Sequence, residues 1–263
     1  MVGGVGEPRT GAALPAGRQG GEPITRSFVE NRSELRYNTS QLENIGIEHR
    51  CYNTQMTEID NKFSSFRERW NDRASTWDTE ILKPEHYANF EEGYHKFLDF
   101  ETDVLDAFPK ALVGIDLGCG TGIAAEPLSK RVDKLFLLDI AEQMLEEAKK
   151  KYPDAIFLHE SATAIPLDDN SIDVAISRGV LISHLPQGEY PNFLSEVHRI
   201  LRPGGLFIID FLNNLQTADF HLSSEKTVFT REGITEELKK FGFGDLVFDG
   251  QDTSRVLRVA TVK

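Results

Sequence analysis

Asp116 and three glycines at alternating positions, Gly118, Gly120 and Gly122, stand together in the stretch VGIDLGCGTG, Val113 to Gly122. Glycine in a loop costs backbone entropy, so three in five positions answer a steric demand. Without β-carbons there, backbone N–H groups can approach a bulky ligand. Asp139, the last residue of KLFLLD, adds a second signal. A carboxylate at the end of a strand can accept hydrogen bonds from both hydroxyls of a ribose. Each feature also has a plainer reading: a tight strand–helix turn for the glycines, a solvated helix-capping acid for Asp139. Taken together they point to a nucleoside-bearing ligand. The dinucleotide fingerprint is G-x-G-x-x-G, whereas the spacing here is G-x-G-x-G.

Other side chains could act around such a ligand. Arg178 follows the apolar run IDVAIS and could pair with a ligand carboxylate or a substrate anion, ideally through both guanidinium nitrogens, or simply with a surface acid. His184, in LISHLP, could as a neutral imidazole take a proton from a substrate, or only anchor its loop. Asp173 is expected to fix local backbone, and His159 and His198 to pack. Cys119 lies inside the glycine loop. No Cys/His pair is readable around it, so it reads as a small residue in a place of close backbone approach, not as a nucleophile.

The elements that must position these residues follow from periodicity. LVGIDLG, KLFLLD, AIFLHE, IDVAIS and LFIIDF are short apolar runs that read as buried strands. GIAAEPLSKRV, AEQMLEEAKKKY and YPNFLSEVHRIL read as the helices between them, the last closed by an RPGG turn. TREGITEELKKFGF is a helix with Thr230 as its cap. DLVFDG and RVLRVATVK are two more strands, joined by a connection too short for a helical crossover, so they pair antiparallel. The result is an α/β fold: a doubly wound, mostly parallel seven-stranded sheet with a terminal antiparallel hairpin strand. Upstream, residues 36–108 carry apolar residues at three- and four-residue spacing, such as Phe97, Phe100, Val104 and Phe108. They form an N-terminal helical cap before the core at 109–263. Residues 1–35 are rich in Gly, Pro and Ala and read as a disordered tail.

The chain has 263 residues, 40% hydrophobic and 27% charged, with a net charge of -13. That surface repels phosphate backbones, which argues against nucleic-acid binding. Two cysteines, Cys51 and Cys119, do not make a disulfide scaffold and fit a reducing cytoplasm. No apolar run is long enough for a membrane span, and no cluster with metal-ligand spacing is present.

The motifs, in order, resemble those of the class I S-adenosylmethionine-dependent methyltransferases. VGIDLGCGTG resembles the first motif of that family, FLLDIAEQML its acidic second-strand motif, and SATAIPLDDNSIDVAISRGVLISHL the region from the third strand to the loop after the fourth. EVHRILRPGGLFIID is similar to the motif before the fifth strand. The resemblance implies a Rossmann-like methyltransferase fold that takes S-adenosylmethionine, with a small molecule as methyl acceptor. It also implies the cofactor contacts. Gly118, Cys119, Gly120 and Gly122 lie against methionine and ribose, with Asp116 behind them. Asp139 takes the ribose hydroxyls. Ile140, Met144, Ser161 and Ala162 frame the adenine, and Ser177, Arg178 and Gly179 line the methionine side. Ser161 departs from the family, which often has an aspartate there; Glu160 or the Ala162 backbone could substitute. Arg178 and His184 are the catalytic candidates. The faces of Trp77, Tyr87 and Tyr94 are candidates for attracting a sulfonium, and Asn213 for completing the acceptor pocket. A non-catalytic cofactor-binding protein, a nucleic-acid methyltransferase and a nicotinamide-dependent dehydrogenase are the alternatives.

Overall fold

Five of the apolar runs form parallel strands: β1 (Val113–Leu117), β2 (Lys134–Asp139), β3 (Ile156–His159), β4 (Ile172–Ser177) and β5 (Leu201–Leu212). All residues of β1 and β4 are buried, as expected of strands covered on both faces. The structure, a computed structural model, describes residues 56–81, 93–109, 111, 113–179, 181–215 and 226–263, with side chains from Lys62 in the first helix and Phe97 in the second. The expected tail, Cys51, Tyr87 and the side chain of Tyr94 lie outside the described residues.

The sheet order is β3-β2-β1-β4-β5-β7-β6. Strands β6 (Gly244–Asp249) and β7 (Val256–Val262) pair antiparallel, and β7 lies antiparallel to β5. The hairpin expected from the short QDTS connection is therefore present, with the last strand inserted between β5 and β6. Strand order reverses between β1 and β4, where open α/β sheets carry their ligands.

The helices are α1 (Met56–Ile81), α2 (Gly93–Ala107), α3 (Glu126–Ser129), α4 (Glu142–Lys151), α5 (Leu181–His184), α6 (Tyr190–Ile200) and α7 (Arg231–Lys240). The row Phe97, Phe100, Val104 and Phe108 is buried against Val174, Ile176, Leu206, Ile208 and Ala260. Each such large side chain contributes about 1.5–3 kcal/mol by leaving water. Helix α2 thus covers one face of the sheet, whereas α1 brings Trp77 over the glycine loop at Gly120. On the other face Phe193, Leu194, Val197 and Ile200 of α6 join Ile234 and Leu238 of α7 over Phe207 and Ile209.

Two local expectations change. GIAAEPLSKRV is helical only over Glu126–Ser129. The glycine loop continues as turns, with Gly122 N–H donating to Cys119 O and Ala125 N–H to Gly122 O, until Pro127 opens the short helix. The RPGG segment is not a free turn. It lies within β5, where the register with β4 shifts between Ile172 and Val174, and Gly204 takes φ 76° while its N–H donates to Lys263 O. Thr230 caps α7 as expected, accepting from Gly233 N–H at 3.0 Å. Thr230→Ala is expected to lower stability by about 1 kcal/mol. Urea unfolding checks this, with Thr230→Ser retaining most of the lost stability.

Candidate active site

The glycine loop leaves β1 with Gly118, Gly120 and Gly122 at φ 71°, 55° and 70°. Side-chain-bearing residues rarely adopt this left-handed region, so all three glycines are required by conformation. Their surroundings differ. A β-carbon on Gly118 would come within 2.9 Å of Leu181, and one on Gly120 would sit 3.8 Å from Met144 Sδ and 3.9 Å from Trp77 Nε1. A β-carbon on Gly122 would meet Tyr152 at 3.0 Å. Gly122 therefore serves packing against the end of α4. Gly118, Cys119 and Gly120 line a cavity of about 330 Å³ at the carboxyl ends of the strands.

Asp139 holds the loop from the next strand. Its Oδ2 accepts from Gly120 N–H and its Oδ1 from Ala141 N–H, both at 2.8 Å. Each carboxylate oxygen has a second lone pair to offer a ligand hydroxyl. Burial raises the Asp139 pKa, and the Ala141 and Gly120 N–H groups and His159 oppose that rise. Asp116, at the floor, differs. Its carboxylate is 1% exposed and neither oxygen has a hydrogen-bond partner among the described residues. Burial, and then the Asp139 charge, push its pKa up to about 7, with Arg178 pulling the other way. Glu101 of α2 is a second buried acid in the same neighbourhood, raised well above its usual value by burial and by Asp116. A cationic group placed beside Asp116 would relieve this arrangement.

Helix α1 forms the roof with Phe63, Phe66, Trp70, Arg73, Trp77 and Ile81. Trp70 and Trp77 meet edge to face at 5.1 Å, and the Arg73 guanidinium lies over Trp77 at 4.8 Å and Trp70 at 5.4 Å. Arg73 is held there by Glu80, at 2.7 and 3.2 Å. Polar ties fasten the roof down. Lys62 pairs with Glu189 of α6's N-cap, Asn71 Oδ1 accepts from Gln143 N–H at 3.0 Å, and Asp78 binds both Thr121 Oγ1 and Lys151. Lys151 also donates to Thr121 O at 2.9 Å. Asp78→Ala is expected to raise the dissociation rate of a cavity ligand several-fold with little change in stability, because exposed ion pairs contribute only about 0–1 kcal/mol. Stopped-flow displacement of S-adenosylhomocysteine checks it.

The cavity gathers most of the residues singled out in the sequence: Asp116, Gly118, Cys119, Gly120, Asp139, Ile140, Met144, Ser161, Ala162, Arg178, Gly179 and His184. Ser177 does not face it. It is fully buried, and its hydroxyl donates to Leu117 O at 3.1 Å. Asn213 does not complete the pocket; its side-chain amide donates to Asp252 O and Ser254 O and so fixes the β6–β7 connection. The Trp77 ring is in the roof, but the guanidinium of Arg73 already lies over it. Asp173 fixes backbone, accepting from Val113 N–H and Arg202 Nη1, each at 2.8 Å. His198 packs edge to face on Phe243, whereas His159 is exposed and bonds Ile140 O at 3.0 Å. Ser161 Oγ is shared with Thr163, 2.8 Å from its Oγ1 and 3.2 Å from its N–H. The Cys119 thiol is raised well above its usual value, by burial first and then by Asp139 and Asp116. It stays neutral, which is incompatible with a thiolate nucleophile.

Sequence reasoning missed Glu101, Asp210 and Lys226. Glu101 shares the helical row of Phe97, Val104 and Phe108, and Asp210 interrupts the apolar run LFIIDF. An acid on an otherwise apolar face was the signal in both. Lys226 had no local signal. Burial, Lys226 and Arg69 lower the His184 pKa to about 4, so its imidazole is neutral at pH 7.

A glycine-rich turn after β1, a ribose-competent acid on β2 and an antiparallel β7 between β5 and β6 define a class I S-adenosylmethionine-dependent methyltransferase domain. Comparison with known proteins agrees. Residues 115–205 match the family model described as a methyltransferase domain. A probable S-adenosylmethionine-dependent methyltransferase of Mycolicibacterium smegmatis is 30% identical over 133 residues, 49% of this chain and 51% of its own length. The mitochondrial arginine-hydroxylase NDUFAF5 of Danio rerio is 29% identical over 163 residues, 61% of this chain and 49% of that protein. The demethylmenaquinone methyltransferase of Renibacterium salmoninarum is 34% identical over 108 residues, 41% of this chain and 44% of that one. The chain thus spans about half the length of these relatives. Among solved structures, the complex of DhpI with S-adenosylhomocysteine superposes with a TM-score of 0.57 at 18% identity, over 76% of this chain and 96% of that one. Among the described residues no helix is long and apolar enough to cross a membrane, and no cluster of side chains could hold a metal ion.

Proposed function

We propose that this protein transfers the methyl group of S-adenosylmethionine to a small, largely apolar acceptor that enters beneath α1. The observation that carries this reading is the cavity shared by two groups of residues. One group is the bare backbone of Gly118 and Gly120 with Asp116 and Asp139; the other is the apolar set Phe63, Phe66, Leu181, Leu185 and Val256. The first suits a nucleoside amino acid and the second an apolar acceptor.

The residues present fit the cofactor. The buried Asp116 carboxylate, with no hydrogen bond to either oxygen, suits its ammonium group, and the free lone pairs of Asp139 suit its ribose. Ile140, Met144 and Ala162 offer an apolar slot for adenine, with Ser161 at its edge. Arg178 offers the methionine carboxylate a guanidinium. When bound, the cofactor supplies a methyl group on a positively charged sulfur, open to in-line displacement. The protein's part is then alignment, which in ideal intramolecular cases contributes up to roughly 7–11 kcal/mol. Trp70, Trp77 and Phe66 exclude water, and a dry site favours a step that disperses charge. The unprotonated ring nitrogen of neutral His184 can accept a hydrogen bond from the acceptor. A base of such low pKa removes a proton only once methylation has made that proton acidic. The free Cys119 thiol fits a reducing compartment.

An arginine is the second reading for the acceptor, suggested by the arginine-hydroxylase relative of Danio rerio. Incubation of the purified chain with methyl-labelled S-adenosylmethionine and a cell extract separates the two. Label in an organic-extractable small molecule is expected. Label confined to protein would support the second reading, and label in RNA would overturn both. Tight S-adenosylhomocysteine binding without transfer to any fraction would favour a non-catalytic cofactor-binding protein.

A further inference from the structure

The segment between β3 and β4 brings Ser161 and Ala162 to the cavity, where both are buried. It contains no helix or strand, so its backbone groups need partners from elsewhere. Turns close its first half. Ser161 O accepts from Ala164 N–H at 3.0 Å, and Ser161 Oγ from Thr163 N–H at 3.2 Å. The second half is bound to the last turn of α6. Glu196 Oε2 accepts from Ile165 N–H at 2.7 Å. Arg199 donates through Nη2 to Ile165 O at 2.8 Å, and through Nη1 to Leu167 O at 2.6 Å and Asp169 Oδ1 at 2.9 Å. Its Nε and Nη2 also donate to Glu196 Oε1 and Oε2, both at 2.8 Å, which locks the two side chains together. Bonds of this kind anywhere along the segment would stabilise the fold; their placement does more. Ile165 lies three residues beyond Ala162, so the pair fixes where the Ser161–Ala162 backbone stands against the cavity. Ser161 Oγ is engaged with Thr163 Oγ1 at 2.8 Å, whereas no described residue accepts from the Ala162 N–H. A main-chain donor has no rotamer to adjust, so its aim depends on what holds the loop.

We propose that Glu196 and Arg199 are positioning residues for the cofactor's base: by clamping Ile165 and Leu167 they hold the Ser161–Ala162 backbone in the place that reads an adenine edge. This inference rests on the cofactor reading and adds how the chain selects the base. Neither side chain touches the ligand; both act through the loop. Adenine N1 accepts a hydrogen bond, whereas hypoxanthine carries a hydrogen there and sets donor against donor. A loop held in place rejects the second base, and a loop that can shift tolerates it.

Titration calorimetry with two ligands tests it: S-adenosylhomocysteine, and S-inosylhomocysteine, which differs only at the base edge. Each is titrated into the full chain and its variants, well below the unfolding midpoint of each. The parent is expected to prefer the adenine ligand by about tenfold or more, the effect of one hydrogen bond turned into a buried mismatch. Arg199→Met is expected to cut that preference to about a third or less, and Arg199→Lys, which keeps a charge beside Glu196 but cannot span both carbonyls, to cut it less. Glu196→Gln is expected to retain most of it, since its amide oxygen can still accept from Ile165 N–H. Asp139→Ala is expected to weaken both ligands by the same factor, because they share the ribose. If Arg199→Met does not fold, Arg199→Lys decides. A preference unchanged in the folded Arg199 variants would make the pair a stabilising element only and overturn the inference, as would a parent that binds both ligands equally. A parent that binds neither would overturn the cofactor reading, and this inference with it.

Discussion

Asp139→Ala is expected to weaken S-adenosylhomocysteine binding by about 10- to 100-fold in titration calorimetry, the effect of removing one charged acceptor from buried donors. Two losses add here. The ligand loses the acceptor for its ribose hydroxyls, and the loop loses the carboxylate that takes Gly120 N–H and Ala141 N–H at 2.8 Å. Asp139→Asn separates them. Its amide oxygen can still accept one of those N–H groups, so the loop is partly held while charge-assisted bonding to the ribose is gone. A weakening of tenfold or more in Asp139→Asn, with the unfolding midpoint close to that of the parent, would assign the effect to the ligand. Unchanged affinity in both variants would remove Asp139 from the site.

Asp116→Asn is expected to act in opposite directions on binding and on stability. Burial raises Asp116 to about 7 in the fold, whereas an unfolded aspartate titrates near about 4. Between those values the folded chain holds a proton that the unfolded chain has released. Asp116 therefore favours the fold below about pH 4, and that contribution is lost as pH rises through about 7. Glu101, raised in the same way, adds to the trend. At pH 8 the ionised carboxylate is a buried charge with no hydrogen bond to either oxygen. The amide relieves it by up to roughly 4 kcal/mol, since each pH unit between the folded and unfolded titration points corresponds to about 1.4 kcal/mol. The variant should thus unfold at higher urea concentration than the parent at pH 8, and show little gain at pH 4. Its affinity for S-adenosylhomocysteine should fall about tenfold or more, because the ligand's ammonium loses its anion. For the parent, binding should weaken as pH drops below about 7, where Asp116 must first release its proton. Affinity independent of pH across the range from about 5.5 to about 8 would contradict the pairing.

Much of this was legible in the residue order. The five parallel strands were apolar runs of a length that only a doubly covered sheet accommodates, and the short QDTS link fixed the antiparallel end. Gly118, Gly120 and Asp139 were readable as a group because glycines after one strand and an acid ending the next come together at one cavity. What failed was set by tertiary packing. Gly122 was expected to lie against a ligand, yet what it approaches is Tyr152, and nothing local distinguishes a ring from a ligand. Ser177 turned its hydroxyl to Leu117 O because the next strand offered an acceptor. The split roles of α1 and α2 were hidden because both carry apolar residues at helical spacing, and only assembly decides which packs on the sheet and which roofs the site. Lys226 became a site residue through a hydrogen bond between Thr227 and Ser183, far apart in sequence.

A crystal structure of the chain grown with S-adenosylhomocysteine tests the central claim most directly. The ribose should lie within hydrogen-bond distance of both Asp139 oxygens, the amino group beside Asp116, and the sulfur should point toward His184 and Lys226. Nucleoside density anywhere else, or a cavity still closed over Gly120 by Trp77 at saturating ligand, would contradict it.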